Sequence, residues 1–580
     1  MFASMFGFVL AGLVLIFAIV AIISGALSNA GSENKVDIKE NTVLQISFNE
    51  KINDRSSDNP FEGLKNGSFE TEKKLGLHHI IRSIKNAATD NKIKGIFLDL
   101  DAVNAGAASM YEIRNALLDF KKSNKFVVAY AESYTQKSYY MASVANTVYL
   151  NPQGDLEWKG LSGELMFFKH TLEKLEVEPQ IIRHGKFKSA VEPFIEEKMS
   201  AANRKQTHTY MQDIWKTIVN AVASTRKIDA NTLQEYANTL AIQTPEDALK
   251  FKFIDKLAYR DEVMEALKIN VGIGKDDKLS FTKLNKYDAT FITEISSQKI
   301  AVIYAEGEIE SGKGDDESTG SETIAREINK AANDKNIKAI VLRVNSPGGS
   351  ALASDVIWRE TKLAAVKKPL VVSMGDVAAS GGYYISCGAQ RIFAEPTTIT
   401  GSIGVFGLMF NFQKLLNNKL GITIDTIKTA PLADIGSSTR SMTAQERNII
   451  QNSVERVYST FISRVADGRK KSVADIDSIG QGRVWSGEDA KDIGLVDEFG
   501  GLNDAIAYAA KKANINKYRL IELPKTKSPI EQIFSKVDDE TEARVLKNQL
   551  GNALPYYQKF NHLLKLKGVQ ARMDYDIEIY

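Results

Sequence analysis

The stretch Pro369-Leu-Val-Val-Ser-Met-Gly-Asp-Val-Ala-Ala-Ser-Gly-Gly-Tyr-Tyr-Ile-Ser-Cys387 sets the fold class of this chain. Its first five residues form an apolar, β-like run, and the residues after the glycine pair read as the opening of a helix. Strand, tight turn of small residues, helix is a layout that presents a side chain at a helix N-terminus, where unpaired N–H groups favour developing negative charge. Ser380 stands at that corner, between Ala378-Ala379 and Gly381-Gly382. Small neighbours let another backbone come close, and Gly381 offers an unobstructed N–H to an oxyanion. Taken alone, the same residues also describe an ordinary turn with Ser380 as a helix N-cap. Ala-Ala-Ser-Gly is not the Gly-x-Ser-x-Gly elbow pattern.

The elements around this corner repeat the alternation. An amphipathic helix over Thr323–Ala332 leads to a buried strand over Ala339–Val344, a glycine turn, and a helix over Ala351–Val366. The Pro369–Ser373 strand and the Ser380 helix follow. Such a βα series implies a parallel sheet with right-handed crossovers. The polar, glycine-rich segment Ser311–Ser321 reads as a loop.

The whole pattern occurs twice. Ile84-Lys-Asn-Ala-Ala-Thr-Asp-Asn-Lys-Ile-Lys-Gly-Ile-Phe-Leu98 lies over Ile328-Asn-Lys-Ala-Ala-Asn-Asp-Lys-Asn-Ile-Lys-Ala-Ile-Val-Leu342, with eight of fifteen positions identical at an offset of 328 − 84 = 244. The same offset carries Tyr139-Tyr140 onto Tyr383-Tyr384 and Pro152 onto Pro396. With small gaps, Glu246-Asp247-Ala248 falls on Glu488-Asp489-Ala490. Two tandem copies of one domain are therefore expected, over 45–290 and 297–520, with residues 521–580 as a helical tail of unassigned role. The copies differ where chemistry would matter. Ser380 maps to Gln136, and Asn345-Ser-Pro-Gly-Gly-Ser350 maps to the degraded Asp101-Ala-Val-Asn-Ala-Gly106. A purely structural role gives no reason for the serine and the glycine pair to vanish together.

Length and composition bound the rest. The chain has 580 residues, enough for two or more domains with substantial cores. Its 74 Lys+Arg against 72 Asp+Glu leave a net charge of +2, so no basic field points to nucleic acid. The one cysteine, Cys387, excludes an internal disulfide and a cysteine-rich metal site, and reads as a small buried hydrophobe. Asp315-Asp316-Glu317 reads as a solvated loop, because nothing nearby completes a coordination shell. Met5–Ile23 is nearly continuous in apolar residues, and residues 1–32 carry no charge. That is long enough for one membrane-spanning helix, so residues 1–30 are expected to anchor a water-soluble body. Ala26-Leu-Ser28 would also pass as a cleavage site.

A serine hydroxyl needs a base to become a nucleophile. The six histidines are His78, His79, His170, His184, His208 and His562, none of them in the second copy, so that copy holds no Ser-His-Asp triad of its own. The alternative is a lysine kept neutral by burial. Copy one supplies Gly185-Lys-Phe-Lys-Ser-Ala-Val-Glu-Pro193, in which Lys188 is followed by small and apolar residues; Lys186 is a rival and His184 a bystander. Copy two has no lysine over the matching Thr429-Ala-Pro-Leu-Ala-Asp434. One copy kept the serine and the other kept the lysine.

These segments, with Thr400-Gly-Ser-Ile-Gly-Val405 and Arg483-Val-Trp-Ser-Gly-Glu-Asp-Ala490, resemble the long, duplicated form of the signal peptide peptidase A family over nearly all of residues 1–510. The resemblance implies an α/β fold of two tandem Clp protease/crotonase-like domains behind one N-terminal transmembrane helix. It implies Ser380 as nucleophile, Lys188 as general base, and oxyanion donors at Gly381 and the Gly348–Gly349 turn. Ser402 would steady the lysine. It further implies a homo-oligomer, a tetramer in this family, on the periplasmic side of a bacterial inner membrane. Its substrates would be remnant signal peptides and other extended apolar peptides, cut without cofactor or metal. A crotonase-type acyl-CoA enzyme, which shares the glycine turns, and a non-catalytic membrane scaffold are the competing readings. Trp485 reads as packing at the end of copy two.

Overall fold

The computed structural model describes residues 38–56, 74–291, 296–315, 317–525 and 569–573. The expected membrane helix over residues 1–30 lies outside them; among the described residues no helix is long and apolar enough to cross a membrane.

Copy one contributes β1 (Thr42–Phe48), β2 (Ile93–Val103), β3 (Phe126–Ala131), β4 (Thr147–Leu150), β5 (Glu178–Arg183), β6 (Lys256–Leu257) and β7 (Ser280–Lys283). Copy two contributes β8 (Lys299–Glu306), β9 (Glu308–Glu310), β10 (Ser318–Gly320), β11 (Ile337–Ser346), β12 (Gly348–Ser350), β13 (Leu370–Ala379), β14 (Arg391–Ala394), β15 (Ile399–Gly401), β16 (Phe406–Asn411), β17 (Val484–Ser486), β18 (Glu498–Phe499) and β19 (Arg519–Leu523). A last strand, β20 (Val569–Arg572), follows far downstream.

The duplication is visible in the strand order. Copy one forms a parallel sheet in the order β6-β4-β3-β2-β1-β7. In copy two the corresponding parallel path runs β18-β14-β13-β11-β8-β19. The strands start at the offset read from the sequence: 370 − 126 = 244 for β3 and β13, and 391 − 147 = 244 for β4 and β14. Runs such as Ala339-Ile-Val-Leu342 in β11 are apolar on successive residues because both faces of a parallel sheet are covered. The helix Ser321–Asn333 packs through Ile324, Ile328, Ala331 and Ala332, spaced to line one face.

The copies part company at β13. It runs four residues past its counterpart's length, 10 residues against 6, and its extra end pairs Val377, Ala378 and Ala379 with Ile399, Thr400 and Gly401 of β15. β15 in turn pairs antiparallel with β17, setting Thr400 opposite Trp485. The two motifs quoted above for residues 400–405 and 483–490 are thus one hydrogen-bonded ladder. Trp485 is buried and donates its indole N–H to the Ile479 carbonyl at 3.0 Å, a packing role.

A third, mixed sheet joins the copies in the order β10-β9-β12-β20-β16-β5. β5 of copy one pairs antiparallel with β16 of copy two over six residue pairs, Arg183 opposite Phe406. This sheet corrects two readings. Part of the Ser311–Ser321 segment, Ser318–Gly320, is a strand parallel to β9, and Val569–Arg572 of the tail is a strand where a helix was expected. Both are short, and each forms only because a partner edge is supplied from elsewhere in the chain.

A buried ion network crosses the same seam. Arg343 on β11 donates to Asp54 (Nε–Oδ1 2.7 Å) and to Glu112 (Nη2–Oε1 2.9 Å), and Asn345 Nδ2 donates to Asp54 Oδ2 at 2.8 Å. Arg343 and the Asp54 side chain are fully buried. Copy one thereby supplies the counter-charges for an arginine in the central strand of copy two.

Candidate active site

Ser380 follows the end of β13 and precedes a six-residue helix, Gly381–Ser386. Its backbone is held at φ 54°, a left-handed region that a serine enters only when neighbours hold it there. The Ser380 N–H donates to the Gly401 carbonyl at 2.8 Å, fixing that bend to β15. It occupies the N-cap position, yet its hydroxyl makes no capping bond. The hydroxyl instead faces the lysine of the other copy: Lys188 Nζ lies 2.9 Å from Ser380 Oγ.

Lys188 comes from the segment after β5. Its Nζ also lies 2.9 Å from Ser402 Oγ and 3.3 Å from the Ser402 carbonyl oxygen. Lys188, Ser380 and Ser402 are all fully buried. Ser402, like Ser380, has a positive φ, 48°. Its N–H donates to the Arg483 carbonyl at 2.7 Å, and the Gly482 N–H donates to the Ile403 carbonyl at 2.8 Å. Gly482 has φ +85°, and a Cβ there would stand 2.6 Å from the Lys188 backbone nitrogen, so only glycine lets the lysine segment lie this close.

Lys186 is exposed, with its ammonium over the Phe187 ring. His184 pairs with Glu455 (Nδ1–Oε2 2.6 Å) and stacks on Tyr458 at 3.7 Å. Cys387 is buried, and burial pushes its thiol up to about 12, which removes thiolate chemistry at neutral pH. Gln136, the counterpart of Ser380, opens the helix Gln136–Ala142 and is pinned by the segment after β4 of its own copy: its Oε1 accepts from the N–H groups of Lys159 and Gly160, each at 3.1 Å.

Two features of the site have no sequence signal of their own. Gln206, on the helix Ala201–Arg226, donates to the Phe187 carbonyl and to Ser189 Oγ, and accepts from the Val484 N–H, each at 3.1 Å. It ties the lysine segment to β17. A glutamine in a long amphipathic helix looks like any other until the partners are known. The second feature is β20, which lies antiparallel to both β12 and β16.

The glycines expected around an oxyanion do converge. Gly348 has φ +98°, and a Cβ there would stand 2.6 Å from the Gly381 nitrogen and 2.1 Å from the Ala571 carbonyl oxygen of β20. The Ala571 carbonyl thus packs against both Gly348 and Gly381, where a Cβ on Gly381 would stand 2.9 Å from its oxygen. The Gly348 N–H itself donates to Ser346 Oγ at 3.1 Å, leaving the N–H of Gly381 as the better-placed donor of these two.

Comparison with known proteins agrees in extent and kind. The model of peptidase family S49 matches twice, over residues 119–274 and 362–516. Protease 4 of Salmonella typhi is 40% identical over 454 residues, covering 77% of this chain and 73% of that protein. The chloroplastic serine protease SPPA of Arabidopsis thaliana is 34% identical over 514 residues, covering 86% and 74%. A putative signal peptide peptidase SppA of Enterococcus faecium is 34% identical over 268 residues, 43% of this chain and 77% of that protein.

Proposed function

This chain belongs to peptidase family S49 and is a serine peptidase, and on that premise we propose that Ser380 is its nucleophile and Lys188 its general base. The observation that carries the assignment is the buried 2.9 Å contact between Lys188 Nζ and Ser380 Oγ. A hydroxyl and an amine at that separation are within reach for direct proton transfer. Ser402, at the same distance from Nζ, holds the amine toward the serine. In the first half-reaction Ser380 attacks the scissile carbonyl while Lys188 takes the hydroxyl proton. Charge on the carbonyl oxygen develops against the Gly381 N–H, beside the Gly348–Gly349 turn. Lys188 then returns the proton to the leaving amine, and water resolves the acyl-enzyme by the reverse route.

The substrates are extended peptides with apolar side chains, including remnant signal peptides, and the enzyme works as a membrane-anchored homo-oligomer. Support for the extended conformation comes from the slot between β12 and β16, whose facing edges accept a strand. Support for the anchor comes from the apolar run Met5–Ile23 and for the oligomer from the family resemblance. Membrane residence would bring apolar peptides to the site at high local concentration; the catalytic body then stands on the periplasmic side of a bacterial inner membrane. The test is mass spectrometry of the products from a synthetic apolar peptide, wild type against Ser380→Ala. The assignment stands if fragments appear only with wild type, and falls if the variant yields them at a comparable rate.

A further inference from the structure

A cavity of about 500 Å³ opens in copy one at the place where copy two has its serine. Its lining residues Gly106, Thr135 and Tyr140 fall, at the offset of 244, on Ser350, Ala379 and Tyr384 around Ser380. Sites for small ligands span about 300–1,000 Å³, so the volume is sufficient for one. Most of the wall is apolar. Met110 and Leu161 line it from copy one, Ile214 and Ile218 from the helix Ala201–Arg226, and Val377 and Ile399 from copy two. Val377 precedes Ser380 by three residues and Ile399 precedes Ser402 by three, so the cavity backs onto the β13–β15 ladder that leads to both.

Three charged side chains line the cavity, and two of them are engaged. Asp376 accepts from the Ser109 N–H (2.9 Å) and from Ser109 Oγ (2.7 Å), and Glu157 pairs with Lys159. Burial raises the Asp376 carboxyl above its ordinary value, which lessens its repulsion of an anion. Gln136 spends its amide on Lys159 and Gly160 and offers a ligand nothing. Lys137 is half-buried and makes no hydrogen bond or ion pair among the described residues. It falls on Gly381, so copy one carries a cation where copy two has its oxyanion donor. An uncharged apolar ligand would cover that ammonium without giving it a partner, whereas one ending in a carboxylate supplies a charge-assisted hydrogen bond.

We propose that the cavity binds an apolar peptide by its free C-terminal carboxylate, held on Lys137. Hydrolysis in copy two releases one fragment with such a carboxylate, so copy one holds a product where it has lost the chemistry. The proposal rests on the reading of the substrates as apolar peptides.

Isothermal titration calorimetry of the full-chain Ser380→Ala protein tests this with two probes, N-acetyl-Ala-Leu-Leu as the free acid and as its C-terminal amide. The acid should bind at least about tenfold more tightly than the amide. In the same background Lys137→Met should bring the two within about twofold, because only the acid uses the ammonium. Leu161→Trp, on the irregular chain after β4, should fill the cavity and weaken both probes by at least about tenfold, with circular dichroism to confirm folding. A preference for the acid that survives Lys137→Met, or that vanishes with Lys188→Met instead, overturns the site, as does undiminished binding in Leu161→Trp. Laurate bound more tightly than the peptide acid would overturn the peptide as ligand. Hydrolysis of a synthetic apolar peptide by wild type is measured alongside. If wild type cuts the peptide and the acid preference is absent, the product site falls and the peptidase assignment stands. If the preference is present and wild type leaves apolar peptides whole, the substrate reading falls and the identity of the ligand as product falls with it.

Discussion

Lys188 Nζ and Ser380 Oγ stand 2.9 Å apart although 192 residues of sequence separate them, and each comes from a different copy of the duplicated domain. The separation is closed by two contacts between copies: β5 pairs with β16, and the lysine segment lies on Gly482. Neither copy alone holds both groups, so the expected effects of substitutions follow from which side of the seam they touch.

Ser380→Ala removes one buried hydroxyl and should leave folding intact. Peptide hydrolysis should fall by at least about a hundredfold, as the loss of a nucleophile demands. Gln136→Ala, at the equivalent place in copy one, should change turnover by less than about twofold, because the Gln136 side chain bonds to Lys159 and Gly160 of its own copy, away from the Lys188–Ser380 contact. Steady-state kinetics on both variants, with circular dichroism to confirm folding, checks the pair of outcomes. A comparable loss in both would put the nucleophile in the wrong copy.

Lys188→Arg should be as inactive as Lys188→Ala. A guanidinium stays charged at every working pH and accepts no proton, so the conservative change restores shape without restoring the base. Burst and steady-state assays with an activated ester would expose any residual acylation. An arginine variant with activity near wild type would end the lysine-base assignment.

Ser402→Ala tests positioning rather than chemistry. Ser402 touches Lys188 Nζ at 2.9 Å and its loop is separately fixed by the Arg483 carbonyl, so the fold should survive the loss of the hydroxyl. Turnover should drop by about tenfold to a hundredfold with little change in KM, and Ser402→Thr should recover part of it. An equal rise in KM with unchanged kcat would argue that Ser402 binds substrate instead.

Arg343→Met should destabilise the protein by about 3–5 kcal/mol, since it strands the buried Asp54 and Glu112 carboxylates. Chemical denaturation provides the measurement. If the change is neutral, the network across the seam is not what holds the copies in register.

Glu306 makes stability pH-dependent. Burial first, then the neighbouring Asp54 carboxylate, push its carboxyl from 4.5 up to about 7. Between those values the folded state binds a proton that the unfolded chain has released, so this group's contribution shrinks as pH rises and is gone above about 7. Glu306→Gln should therefore raise thermal stability more at pH 8 than at pH 5, by on the order of 1 kcal/mol after discounting for partial exposure. Melting curves of both proteins at the two pH values decide it, and an equal effect at both would refute the assignment.

The amino-acid sequence by itself determined the duplication, the alternation of strands and helices, and the identity of the Ser380 and Lys188 candidates. These are legible because they are local: apolar runs and glycine turns act over a few residues, and a repeat shows by self-comparison. The loss of serine from one copy and lysine from the other also made a shared site the natural expectation. The meeting itself was decided by the tertiary structure. It required β13 to run on to Ala379, β15 and β17 to form a ladder behind it, and Gly482 to admit the lysine backbone. Gln206 and Glu112 carried no signal because a polar residue on a helix shows its role only through partners hundreds of residues away. The return of Val569–Arg572 was illegible for the same reason. A four-residue strand has too little propensity to declare itself, and its conformation comes from the two edges of β12 and β16 that it joins.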